Sequence, residues 1–67
     1  MKKTEFSDAV DAYLADTANP LQEFVIEDYC YTCRHNYDIE EMYNDAVEKG
    51  IGDRVFQLVA KMWDKYK

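Results

Sequence analysis

The sequence contains few residues that interrupt helices, with one proline and two glycines among 67 residues. Because proline and glycine are the strongest local breaks in regular structure, their scarcity favours helices joined by short turns. Long apolar runs are also missing, and none approaches the roughly 20 residues of a membrane span. The opening residues, MKKTEF, turn polar at once and offer no apolar signal segment. These absences predict a soluble, cytoplasmic protein with no membrane partner.

Residue types that bind metals are scarce as well, with one histidine and two cysteines in the chain. Cys30 and Cys33 stand three residues apart and His35 follows, which are good zinc ligands at a usable spacing. A structural zinc site takes four ligands from two separated pairs, and no second pair exists. We therefore predict no metal and no cofactor, with the cysteines packed at the end of a helix. A zinc-stabilised adaptor built on these three residues remains an alternative.

Catalytic arrangements are absent or weak. Ser7 is far in sequence from the lone histidine, and the glycines at 50 and 52 lack the rest of a phosphate-binding loop. Carboxylates are plentiful, but an acid and base pair needs a pocket, which so small a domain rarely closes. The sequence therefore predicts a protein that is not an enzyme.

The chain is nonetheless rich enough in apolar residues to fold. Hydrophobic residues make up 48% and aromatic residues 15% of the sequence, which is too apolar for a disordered acidic tail despite the net charge of −6. Residues 1–67 should form a single domain, although a chain of this length builds only a small core. The predicted fold class is all-α, a compact small bundle of about four short helices.

The first half of the chain contains two apolar stripes at helical spacing. The first helix should begin at Thr4 as N-cap and end near Asp16. The second should begin at Asn19 and Pro20, since proline is favoured at the first helical position. The predicted buried residues are Phe6, Ala9, Val10, Tyr13 and Leu14 in the first helix, and Leu21, Phe24, Val25 and Tyr29, flanked by Ile26 and Cys33, in the second.

The segment from 24 to 32 is the ambiguous part of this pattern. It contains valine, isoleucine, two tyrosines and threonine, which could equally form a strand. The absence of a second convincing strand favours a helix. In that helix Asp28 would point toward Leu21 and Phe24, so a buried carboxylate with a hydrogen-bond partner is expected. The alternative is that Asp28 belongs to a contact surface.

The second half contains two more helices. Asp38 should cap the third, with Glu41 at the spacing of a capping box, and Gly50 should end it. Asp53 should cap the fourth, whose last turn is favoured by the charges of Lys65 and Lys67. The predicted stripes are Ile39, Met42, Tyr43, Ala46 and Val47 in the third helix, and Val55, Leu58, Val59, Met62 and Tyr66, flanked by Phe56 and Trp63, in the fourth.

Charge divides the chain into an acidic body and a basic last helix. Residues 1–53 contain thirteen acids and four bases, a net charge of −9, and residues 54–67 carry +3. Pairs of like charge recur one helical turn apart, as in Glu23 with Glu27, and each costs about 0.2–0.5 kcal/mol. Such repeated local costs suggest a basic partner, and the alternative is a solvated acidic face that keeps a small protein soluble. The residues predicted to contact it are Asp8, Asp11, Glu23, Glu27, Glu41, Asp45, Glu48, Tyr31 and Tyr37.

These features predict a small acidic protein-binding module, an inhibitor that occupies the basic surface of a nucleic-acid-handling protein. In size, acidity and lack of a catalytic motif the chain is similar to phage-encoded inhibitors of host defence nucleases, including anti-CRISPR proteins, which is a likeness of composition. Such a protein would mimic nucleic acid, and its own charge disfavours direct nucleic-acid binding. The alternative is a homodimer in which the basic last helix of one chain meets the acidic third helix of another.

Overall fold

The computed structural model describes residues 2–65, which form four α-helices. Helix α1 spans Lys3–Leu14, α2 spans Pro20–Asn36, α3 spans Ile39–Glu48 and α4 spans Arg54–Lys65. No strand occurs within the described residues, so the segment from 24 to 32 is helical. The all-α prediction is therefore confirmed. Tyr66 and Lys67, which the sequence assigns to the last helix, lie outside the described residues.

Side-chain caps set the start of the two middle helices, as predicted. The Asn19 side chain accepts from the Gln22 backbone N–H at 2.8 Å, and the Gln22 side chain accepts from the Asn19 N–H at 3.0 Å. Asp38 and Glu41 form the same reciprocal pair at 2.8 and 3.4 Å. Each pair satisfies two backbone donors that have no partner within the helix.

The predicted cap of the first helix is wrong. Helix α1 begins at Lys3, so Thr4 lies inside the helix rather than at its N-cap. The N-cap residue is Lys2, whose side chain makes no capping hydrogen bond. At the other end of α1, Asp16 takes a left-handed conformation with φ of 60°. The backbone N–H of Thr17 donates to the carbonyl of Ala12 at 2.8 Å, so the chain turns sharply after the helix.

Gly50 ends α3 as predicted. Its φ of 83° is left-handed, and the N–H of Ile51 donates to the carbonyl of Ala46 at 2.9 Å. Ile51 is buried, so the hydrophobic contact expected beside such a cap is made. Asp53 directly precedes α4, and the turn there is closed by backbone hydrogen bonds such as Arg54 to Ile51 at 3.0 Å.

One core joins all four helices, with α4 packed against each of the others and α3 packed mainly against α4. Phe6 of α1 meets Tyr29 of α2 edge to face, with ring centroids 5.1 Å apart. The buried residues are Phe6, Ala9, Val10, Tyr13, Ile26, Tyr29, Cys30, Cys33, Met42, Ala46, Ile51, Val55, Leu58 and Met62.

The predicted buried face of α2 is wrong in part. Leu21 and Phe24 are 67% and 69% exposed, and the face that packs on the bundle carries Ile26, Tyr29, Cys30 and Cys33. The second helix is apolar on two sides, and only one of them can face the core. The side with Leu21 and Phe24 also carries Asp28, whose burial without a partner would cost free energy. Asp28 is accordingly exposed, contrary to the prediction.

Candidate protein interaction surfaces

The bases of α4 form ion pairs with three acids, one on α1, one in the turn after α1 and one on α2. These ion pairs hold α4 against the first two helices. The Arg54 guanidinium lies 2.7 Å from the Asp11 carboxylate, and the Lys65 ammonium lies 2.6 Å from that of Glu27. Lys61 contacts the Asp16 carboxylate at 2.7 Å and donates to the Leu14 carbonyl at 3.2 Å. Two acids predicted to bind a partner, Asp11 and Glu27, therefore have partners inside the chain.

Asp45 is also engaged within the fold. Its carboxylate accepts from the Tyr29 hydroxyl at 3.0 Å and contacts the Lys49 ammonium at 3.0 Å. The Lys49 ammonium also lies 5.6 Å from the centre of the Tyr29 ring. Burial, followed by the nearby Cys33 and Asp45, raises the pKa of Tyr29. This cluster fixes the C-terminal end of α3 on α2, so Asp45 has a structural role that the sequence did not predict.

The remaining predicted acids point outward. Asp8, Glu23 and Glu48 are exposed, and their carboxylates form no hydrogen bond or ion pair with any residue from 2 to 65. Glu41 is exposed too, and among residues 2–65 its carboxylate accepts a hydrogen bond only from the backbone N–H of Asp38. The fold thus sorts the acids into a set that pairs inside the chain and a set that faces solvent.

Most residues of helix α3 are exposed. Only Met42 and Ala46 of its predicted stripe are buried, while Ile39, Val47 and Tyr43 are 73%, 51% and 38% exposed. At 100° per residue, Glu40 lies about 20° from Val47 and Glu48 about 100° from it, and both are on the side of α3 away from the core. The helix therefore presents an apolar strip next to carboxylates that have no described partner.

Helix α4 extends the apolar strip of α3. Phe56 is 41% exposed and stacks on Tyr43, with ring centroids 6.0 Å apart and planes 8° from parallel. Trp63 is 51% exposed and shares a groove with Ile39. We call this surface the α3–α4 apolar face and define it as Ile39, Tyr43, Val47, Phe56 and Trp63.

The groove at one end of the α3–α4 apolar face has a volume of about 170 Å³. Cys33, Met42 and Val59 contribute to its lining, and Tyr37, a predicted contact residue, lies at its edge with 36% exposure. The Arg34 guanidinium lies 5.5 Å from the centre of the Trp63 ring at the same groove. The groove is mainly apolar, and its lining also includes two residues of opposite charge, Arg34 and Asp38.

A second exposed surface runs along α2, on the side opposite the core. Tyr31, another predicted contact residue, is 61% exposed there, and its ring lies 4.2 Å from that of His35. We call this surface the outward face of α2 and define it as Leu21, Phe24, Asp28, Tyr31 and His35. The sequence pattern assigned Leu21 and Phe24 of this face to the core, and it assigned Tyr31 to a contact surface. Spacing of three and four residues shows that these side chains share one face of the helix, but a buried face and an exposed face have the same spacing.

The structure does not bring the three candidate zinc ligands together. Cys30 and Cys33 are each 1% exposed in the core, whereas His35 lies on the outward face of α2. Burial, with smaller effects of Cys33 and Glu27, raises the pKa of Cys30 to about 12. Burial also raises the pKa of Cys33. Within residues 2–65, no three side chains of the ligand types are grouped to hold a metal ion.

Comparisons of the chain with protein-family models, with curated proteins and with solved structures gave no match. Among the described helices, none combines the length and apolar character needed to cross a membrane.

Proposed function

We propose that this chain is a protein-binding module that uses the outer side of α3 to occupy a basic, nucleic-acid-binding surface of a target protein. One observation carries the proposal. Helix α3 presents exposed carboxylates beside the α3–α4 apolar face, and the acids used for internal pairing lie mainly elsewhere. A target that normally binds phosphate offers the lysines and arginines that would complement Glu40 and Glu48.

The charge of the chain suits this role. At −6, the long-range field attracts a basic surface and repels phosphate, so the chain would compete with nucleic acid rather than bind it. Electrostatic steering of this kind speeds association and weakens at high salt. In the proposed action the chain inhibits its target in the cytoplasm by covering the target's nucleic-acid-binding surface. This action requires no catalysis and no cofactor. Phage-encoded inhibitors of defence nucleases are similar to the chain in composition.

The groove supplies an apolar anchor for the same contact. Its volume of about 170 Å³ compares with the roughly 150 Å³ cavity that accepts one benzene ring, so it fits one phenylalanine or leucine side chain of the target. Burying such a side chain contributes about 1.5–3 kcal/mol. Charge would then set the rate of encounter, and the groove would hold the target in place.

The test is capture of the target on immobilised protein, followed by elution with nucleic acid. Lysate of the source cells is passed over wild-type chain, and bound protein is eluted with duplex DNA or with RNA. The proposal expects capture of a basic protein, which both DNA and RNA release from the immobilised chain. The double variant Glu40→Lys, Glu48→Lys should fail to retain this protein. Capture that neither competitor releases, or that the double variant retains, would contradict it.

A further inference from the structure

Aromatic rings contribute three of the five residues that define the α3–α4 apolar face. The rings of Tyr43, Phe56 and Trp63 are all exposed. Tyr43 on α3 and Phe56 on α4 stack on each other with their planes only 8° apart. Because stacking holds the two rings in a fixed relation, the pair offers a partner a preformed aromatic surface.

A carboxylate borders this aromatic surface. At 100° and 1.5 Å per residue, Glu40 lies about 60° from Tyr43 around α3 and about 4.5 Å from it along the helix axis. Among residues 2–65 the Glu40 carboxylate has no hydrogen-bond or ion-pair partner. The face therefore combines stacked rings with negative charge at their edge, as a single strand of nucleic acid combines stacked bases with phosphates.

Protein sites that bind single strands differ in this respect from sites that bind duplexes. A single-strand site combines a positively charged groove with aromatic side chains on which the bases stack. A duplex site contacts phosphates and base edges, mainly through basic and polar side chains. Against such a polar surface the rings of the α3–α4 apolar face would gain little apolar contact, whereas an aromatic platform would cover them.

We propose that the surface this chain occupies is a single-strand-binding site, whose aromatic side chains stack on the Tyr43–Phe56 pair in place of bases. This inference rests on the proposed function, which it narrows from nucleic-acid-binding surfaces in general to those that bind single strands. A second copy of the chain fits the face less well, because it brings a net charge of −6 and further unpaired carboxylates instead of a basic groove.

Phe56 is the residue that tests stacking most directly. The Arg34 guanidinium already lies 5.5 Å from the centre of the Trp63 ring, so a target ring would compete with Arg34 there. Phe56 has no polar atom in its side chain, and leucine at this position would keep the apolar character while removing the ring. Tyrosine would keep the ring as well.

Competition between nucleic acids tests the strandedness of the site. Target captured from lysate of the source cells is released by oligothymidylate or oligouridylate of about 20 nucleotides, either alone or paired with oligoadenylate, at one ionic strength. Strands of this length exceed the roughly 4–16 nucleotides that one OB-fold site covers. The single strand should act at a concentration about tenfold lower than its duplex, which competes through phosphate charge alone.

Substitution of Phe56 tests the stacking itself, with affinity for the released target as the measurement. Phe56→Leu should weaken binding by about threefold to tenfold, the contribution of an aromatic pair beyond its buried area. Phe56→Tyr should restore the affinity lost in Phe56→Leu. Phe24→Leu is the matched control, because Phe24 is also an exposed phenylalanine but lies on α2, and its affinity should equal that of wild type. Circular dichroism confirms that the variants are folded.

The outcomes separate this inference from the proposed function. Release by the duplex at a concentration equal to or below that of the single strand would overturn the inference and leave the proposed function standing. A Phe56→Leu variant that binds as wild type, or a Phe56→Tyr variant as weak as Phe56→Leu, would have the same consequence. If no target is captured, or if no nucleic acid releases it, the proposed function fails and the inference fails with it.

Discussion

The Arg54 guanidinium of α4 donates to the Asp11 carboxylate of α1 across 2.7 Å, although the two residues are 43 apart in sequence. The same guanidinium donates to the Ser7 hydroxyl and to the Gly50 carbonyl, each at 2.9 Å. One side chain therefore ties α1 to the turn between α3 and α4. The basic character of the last helix serves the fold, because Arg54, Lys61 and Lys65, the bases of its described part, are engaged with acids of the same chain.

Replacing Arg54 should destabilise the fold. We expect Arg54→Met to lower the free energy of unfolding by about 1 kcal/mol, because the contacts with Asp11, Ser7 and Gly50 are lost together. The side chain of Asp11 is 62% exposed, which keeps the effect small. Urea unfolding measures the change, with Arg34→Met as the matched control. Equal losses for the two variants would contradict this account of Arg54.

The hydroxyl of Tyr29 should contribute to stability separately from its ring. Tyr29→Phe retains the edge-to-face contact with Phe6 and removes the 3.0 Å hydrogen bond to Asp45. We expect a loss of about 1 kcal/mol in the free energy of unfolding. Tyr31→Phe removes an exposed hydroxyl and should have little effect on thermal or urea unfolding of the monomer at low protein concentration. A Tyr29→Phe variant as stable as wild type would show that the bond to Asp45 is dispensable.

Stability should fall as the pH rises above about 9, the ordinary pKa of a cysteine thiol. The folded chain keeps the proton on Cys30, whose pKa is raised to about 12, whereas the unfolded chain releases it. The unfolded state then binds fewer protons than the folded state, so the stabilisation present below pH 9 is lost as the pH rises toward the folded pKa. Tyr13, with a pKa raised to about 12, acts in the same direction above pH 10.

The check is urea unfolding at a series of pH values from neutral to alkaline. Titration of the thiols with a disulfide reagent provides the control, because the buried cysteines should react only as the chain unfolds. A free energy of unfolding that is constant across the alkaline range would contradict the burial of the thiols.

Gly50 should tolerate few other residues, because its φ of 83° is left-handed. An added Cβ would meet only the Lys3 side chain at 3.9 Å, so the cost is one of backbone conformation rather than of space. We expect Gly50→Ala to lower the thermal midpoint and to cost about 1 kcal/mol. Gly50→Asn is the matched comparison and should cost less, since asparagine adopts this conformation more readily. The reverse order of the two variants would count against the cap.

The sequence predicted best the features that depend on neighbouring residues. The capping pairs that begin α2 and α3, and the turn at Gly50, involve residues within a few positions of one another, so local chemistry decides them. The face of α2 that enters the core could not be predicted in the same way, because the helix is apolar on two sides and its packing depends on α1 and α4.

The acids available to a partner were also predicted only in part, because their availability depends on contacts between residues distant in sequence. Of the three acids predicted on α3, Glu41 and Glu48 are exposed, whereas Asp45 is bonded to Tyr29 and Lys49. The pairing of Asp11 with Arg54 and of Glu27 with Lys65 links residues 43 and 38 positions apart, and no local pattern indicates such contacts. Long-range ion pairs of this kind decide which acids remain available to a partner.

The central claim is that the carboxylates of α3, rather than acidity in general, bind the target. The most direct test is the affinity of the captured target for two double variants of equal charge, Glu40→Lys, Glu48→Lys on α3 and Glu5→Lys, Asp8→Lys on α1. The account predicts that the α3 variant weakens binding by about tenfold or more, roughly 1.4 kcal/mol, while the α1 variant changes it far less. Equal losses for both variants, or none for the α3 variant, would contradict it.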